Sequence, residues 1–242
     1  MQKILLFILI GIRFPSVSNA QQSVLDSAFS LIYNQKFDSA ETLLHTNKSN
    51  INPVYYAVLD IDMNYWKNVS DKEKTDYKSF ESLLQKYHPE AAETQDQKII
   101  ELITLSYQLR YELKRLRLFS AISTRKKALD LFHELSPNAH KLNQNQRELF
   151  ELYQSLITYF DYYMKPPFSR NKRLSMDEAI QKINQLTQSQ QFIVKTLSSY
   201  FLGKIYLRFE KTPENGKTYF DWLKNTYPEN KRFQELFEEC ES

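Results

Sequence analysis

The sequence predicts an all-α protein, an α-solenoid of about five helical hairpins with a short C-terminal capping helix. Three observations carry this. The chain of 242 residues has only three glycines, and the tight turns of β-hairpins draw heavily on glycine. Apolar residues recur at a helical period in segment after segment. Prolines at 53, 89, 137 and 228 punctuate alternate helices at steps of 36, 48 and 91 residues, the last being two units of about 45. That spacing, with two helices per unit, marks a helical repeat array.

The elements follow in order. Residues 1–20, MQKILLFILIGIRFPSVSNA, have the layout of a secretory signal peptide. Lys3 precedes an apolar run from Ile4 to Ile12, Pro15 breaks it, and Ser18 and Ala20 are the small residues before a cut at Gln21. The run is shorter than the roughly 20 residues a bilayer core requires, so cleavage is expected rather than anchoring. No cysteine stands near the cut, so a lipid-anchored assembly factor is not expected. Arg13 lies unusually close to the run.

Residues 21–242 are then one domain. Helices are expected near 22–34 and 37–47, joined through YNQKFDSAETLL, and near 53–66, which opens at Pro53. Capping boxes at Ser70/Glu73, Thr94/Gln97 and Ser175/Glu178 predict helices over 71–87, 95–118 and 176–189. In the second of these, Ile99, Leu102, Ile103, Leu109, Leu113 and Leu116 share one stripe. Further helices fall near 123–135, 144–164 (with Leu149, Tyr153, Leu156, Ile157 and Phe160 on one face), 191–210 and 230–240. Thr212 followed by Pro213 starts one over 213–226, with proline where its missing N–H costs nothing.

Composition excludes several chemistries. Past residue 20 only Gly203 and Gly216 remain, too few for phosphate-cradling loops, dinucleotide turns or a nucleophile elbow. Cys240 is the single cysteine, so no internal disulfide can form. Without Lys3 and Arg13 the chain has 30 basic and 29 acidic residues, a balance that offers nucleic acid no global attraction. His45, His88, His133 and His140 lack partners at metal-ligand spacing, and no Ser/His/Asp set stands out. No catalytic, cofactor or metal site is expected, and nothing after residue 20 is apolar enough to span a membrane.

The last unit, YFLGKIYLRFEKTPENGKTYFDWLKNTYP, places Leu202-Gly203, Tyr206, Gly216, Phe220 and Pro228 in a pattern that resembles the tetratricopeptide repeat (TPR). In the first unit Ala28, Phe37-Asp38-Ser39-Ala40 and Leu44 resemble it too. Ala57, Ala128 and Phe132 are scattered matches in longer middle units, which are therefore TPR-like. The whole is similar to exported TPR-like proteins of Gram-negative bacteria. That resemblance implies close helix contact at Ala28/Ala40 and Gly203/Gly216, and a concave groove lined by the first helix of each hairpin.

Three candidate contact regions follow. Arg110, Lys114 and Arg117 fall at i, i+4 and i+7 with Tyr107 and Tyr111 alongside, a stripe able to hold a carboxylate or acidic peptide if it faces the groove, or a plain solvated face if it does not. The loop KPPFSRNKR, residues 165–173, offers Phe168 and four basic residues to a partner or anionic head groups, or serves as a linker. Tyr159, Tyr162 and Tyr163 could form a sugar platform or core wedges. The expected function is a non-catalytic protein- or peptide-binding scaffold of the cell envelope, its partner acidic if the basic stripe faces the groove. The alternative is an envelope carbohydrate-handling or enzymatic component whose site is hidden among ordinary residues.

Overall fold

Side-chain caps and positive-φ turns mark where many of this chain's helices begin and end. The computed structural model describes residues 19–70, 75–88 and 92–241. The expected signal segment lies outside them except for Asn19 and Ala20. Every regular element among the described residues is helical: α1 (Asn19–Tyr33), α2 (Phe37–Thr46), α3 (Pro53–Tyr65), α4 (Tyr77–Tyr87), α5 (Gln95–Lys114), α6 (Leu118–Leu135), α7 (Gln144–Tyr163), α8 (Lys172–Leu186), α9 (Phe192–Ile205), α10 (Pro213–Thr226) and α11 (Lys231–Glu239). No described helix is long and apolar enough to cross a membrane.

The capping box at Thr94/Gln97 forms in full, side chain to backbone in both directions. Of the other two expected boxes, Ser70/Glu73 falls partly outside the described residues, and Ser175/Glu178 does not open its helix. Ser70 ends a π-helical turn, Trp66–Ser70, that prolongs α3, and Asp76 caps α4 by accepting from the Ser79 N–H at 3.0 Å. Ser175 lies inside α8, which starts a turn earlier from Asn171 at φ 58°. Pro213 takes the first position of α10 as expected, but the Thr212 side chain makes no capping bond.

The largest boundary correction lies between α5 and α6. Helix 95–118 was expected to run on through Leu116; instead α5 ends at Lys114 and α6 starts at Leu118 rather than 123. Leu116 turns into the left-handed region at φ 58°, the Arg117 N–H donates to the Glu112 carbonyl, and the Leu116 N–H to that of Leu113. That is a Schellman stop with leucine where glycine is usual, so the familiar signal is missing. Gln35 does the same after α1, at φ 62°, where Lys36 and Gln35 donate to Leu31 and Ile32.

Consecutive helices pack in pairs: α1 with α2, α3 with α4, α5 with α6, α7 with α8 and α9 with α10, and α11 covers α10. The small residues sit where close approach requires them. Ala28 and Ala40 are fully buried, and a methyl group on Gly203 would meet the Phe220 ring at 2.9 Å.

The first helices of the pairs also contact each other in sequence, and α1 packs on α9 as well as on α3. The expected open groove is therefore closed. Its place is taken by aromatic side chains: Tyr33 stacks on Phe29 at 4.3 Å between centroids and reaches Trp66, Tyr227 and Phe233, and Trp66 and Phe233 both reach Tyr200.

Candidate binding surface

The five residues expected to form a contact stripe on α5 are divided by this closure. Tyr107 is fully buried, donating its hydroxyl to Asp62, and Tyr111 is buried with its hydroxyl on Glu81. Arg110 points inward, its guanidinium 4.3 Å from the Tyr65 ring centroid, 4.7 Å from that of Phe201 and 5.1 Å from that of Tyr107. Only Lys114 and Arg117 are exposed. Lys114 donates to the Val69 carbonyl, and Arg117 pairs with Glu81 at 2.6 Å. A helix that contacts α3 on one side, α6 on another and α7 on a third leaves no continuous basic stripe.

Arg110 belongs instead to an interior polar cluster. Asp62 is 2% exposed, and burial raises its carboxyl above the usual range, opposed by the Tyr107 hydrogen bond and the charge of Arg110. Asp62 Oδ2, Tyr33 Oη, Trp66 Nε1, Tyr153 Oη and Arg110 Nη1 are all buried without a hydrogen-bond partner. Half-buried Lys204 lies 5.5 Å over the Tyr200 ring. Burial, and then the charges of Arg110, Arg232 and Arg208, push it down to about 8. These residues come from α1, α3, α5, α7 and α9, and sequence spacing gives no sign that they meet.

The aromatic trio at the end of α7 is split as well. Tyr159 is buried with its hydroxyl 2.7 Å from Glu210, and Tyr163 packs edge-on against Phe209 at 5.2 Å. The Phe209 ring also meets Phe160 at 5.1 Å. These contacts make Tyr159 a core wedge rather than part of a flat platform.

The exposed apolar surface is concentrated elsewhere. All the large hydrophobic residues exposed among the described residues fall in two short segments. The turn between α5 and α6 and the first turns of α6 present Leu116, Leu118, Phe119 and Ile122; Phe119 is 92% exposed. The end of α7, its loop and the start of α8 present Tyr163, Met164, Phe168 and Leu174; Phe168 is 89% exposed. The loop position of Phe168 already marks it as exposed, whereas the helical period places Leu116 in the core; it is 80% exposed.

The two segments adjoin. Arg125 of α6 and Lys165 after α7 both pair with Asp161, and α6 packs on α7. Both are also purely basic. Residues 113–129 hold six Lys or Arg and no acid, and residues 162–176 hold four and no acid. Some cations are neutralised from outside: Arg115 and Arg117 by Glu81, Arg173 by Asp177 and Glu210. Lys126, Lys127 and Arg170 are exposed and make no ion pair among the described residues.

Set beside known protein families, curated proteins and solved structures, the chain matches none of them.

Proposed function

We propose that the chain is a non-catalytic binding scaffold of the cell envelope. It is an exported array of five TPR-like hairpins, drawn round until its first and last units meet. It holds its partner not in a groove but on the outer end of its third and fourth hairpins. The observation behind this is the gathering of every exposed large hydrophobic residue among the described residues onto two turns tied together at Asp161. Exposed apolar residues scattered singly need no explanation, whereas a contiguous patch rimmed by charge is the usual mark of an interaction surface.

The charge sets the sign of the partner. With basic residues and no acid in either segment, the surface favours a partner that offers negative charge beside apolar contact. An acidic protein or peptide has that character, and so does an anionic lipid surface. The buried small residues at Ala28, Ala40 and Gly203 support the TPR-like description of the terminal hairpins.

A photoreactive residue placed at Phe119 or Phe168 tests the proposal in the native envelope, with Gln234 on α11 as the exposed control. One recurrent adduct from the two apolar positions, absent at Gln234, is the expected result. Equal yields at all three positions would reject this surface as the binding site.

A further inference from the structure

The shape of this end narrows the partner further, on the preceding reading that this is where the chain binds. Phe119 and Phe168 are 92% and 89% exposed, values that belong to side chains protruding from a turn rather than lining a hollow. Protruding apolar residues with a basic fringe suit a fluid surface that opens around them, where apolar groups enter the head-group boundary and cations meet anionic lipid.

Part of the backbone of the two tips is paired internally. At the first, the N–H groups of Arg115, Leu116 and Arg117 donate to the carbonyls of Tyr111, Leu113 and Glu112. At the second, Met164, Lys165, Ser169 and Lys172 donate to Phe160, Tyr162, Pro166 and Ser169, and Pro166 and Pro167 carry no N–H at all. Lys172 Nζ also donates to the carbonyls of Tyr163 and Lys165, the first at 2.9 Å. The first N–H groups of α6 and α8 have no side-chain cap, so these tips suit the hydrated head-group boundary rather than the bilayer core.

The charges agree. Neither segment has a carboxylate for an anionic surface to repel, and Glu81, Asp161, Asp177 and Glu210 around them are already engaged with arginine or lysine. Lys126 and Lys127 follow Ile122 by about one helical turn, and Arg170 follows Phe168 by two residues, so free cations stand beside the apolar tips. No described helix can cross a bilayer, so contact would be peripheral.

We propose that the α5–α6 turn and the α7–α8 loop together form a docking face for an anionic lipid bilayer, with Phe119 and Phe168 entering the interface and Lys126, Lys127 and Arg170 meeting the head groups.

Flotation with vesicles tests this directly. The chain as isolated after export is mixed with phosphatidylglycerol–phosphatidylcholine vesicles or with phosphatidylcholine vesicles alone. The parent should float with the anionic vesicles, be released by raised salt, and stay down with the neutral ones. Two variants carry the assignment: Phe119→Ser with Phe168→Ser, and Lys126→Glu with Lys127→Glu and Arg170→Glu. Each should lower vesicle binding by about tenfold or more, since two apolar insertions or three cations are lost. Circular dichroism and melting temperature should stay at parent values, because all five side chains are exposed.

If the parent fails to float while the photoreactive positions still give one protein adduct, the lipid assignment is overturned and the binding surface stands with a protein partner. If parent and variants float equally, lipid contact lies elsewhere and the proposal falls. If neither flotation nor a position-specific adduct is seen, the surface reading falls with it.

Discussion

Asn230, at the start of the last helix, donates from Nδ2 to the backbone carbonyl of Tyr33 at 2.8 Å, across 197 residues of sequence. Its Oδ1 meanwhile accepts from the Arg232 N–H, capping α11. One buried side chain thus starts the closing helix and clasps it to the end of the first. Lys36 adds an ion pair to Glu229 at 2.6 Å beside it.

Asn230→Ala should therefore cost about 1–3 kcal/mol, because it removes a helix cap and leaves a buried carbonyl without its donor. Asn230→Asp keeps the cap oxygen but sets a buried carboxylate oxygen against the Tyr33 carbonyl, so it should be no more stable than the alanine variant. Urea denaturation of the three proteins gives the order. Equal stabilities would mean the closure does not depend on this residue.

The glycines of the last pair make a second prediction. A Cβ at Gly203 would lie 2.9 Å from the tip of the buried Phe220 ring, and one at Gly216 would lie 3.0 Å from the Gly203 carbonyl. Both alanine variants should lose about 1–3 kcal/mol to overpacking. Phe220→Leu should partly rescue Gly203→Ala, since it shortens the obstructing side chain, but not Gly216→Ala, where the obstacle is backbone. A double-mutant cycle measured by thermal melting reads that coupling, and additive losses would place the contact elsewhere.

Arg110 and Arg117, one expected stripe on α5, should behave differently. Arg110→Glu sets a carboxylate among Tyr65, Tyr107 and Phe201 and near buried Asp62, with an expected loss of about 3 kcal/mol or more. Arg117 is exposed and pairs only across the surface with Glu81, so Arg117→Glu should change stability by no more than about 1 kcal/mol. Matching losses would show that both side chains share one environment.

Lys204 supplies a pH signature. Burial and neighbouring cations bring it down to about 8 in the fold, against about 10.4 for an unfolded lysine. Between these values the unfolded chain holds the proton and the folded chain has released it, so stability should rise with pH across that window and level off above it. The slope is at most about 1.4 kcal/mol per pH unit from this group. Lys204→Met should remove the rise and be more stable than the parent near neutral pH. Denaturation midpoints at intervals through the window provide the check, and parallel curves for the two proteins would assign the rise to another group.

The sequence by itself determined the local elements, because caps, prolines and the 3.6-residue period act within a few residues of chain. Thr94/Gln97, Pro53, Pro213 and the Leu149–Phe160 stripe each appear as helices near where the pattern places them. Where a stop lacked its usual residue, as at Leu116 in place of glycine, the boundary was misplaced and a surface leucine was assigned to the core. The tertiary structure alone decided the rest. Whether paired helices leave a groove or close on themselves depends on small angles summed over every pair, and here α1 meets α9. That closure turned Arg110 and Tyr107 inward, and the packing of α6 on α7 brought Phe119 and Phe168, 49 residues apart, onto adjoining turns. Neither arrangement is encoded in any short stretch, since each depends on contacts between segments far apart in the chain.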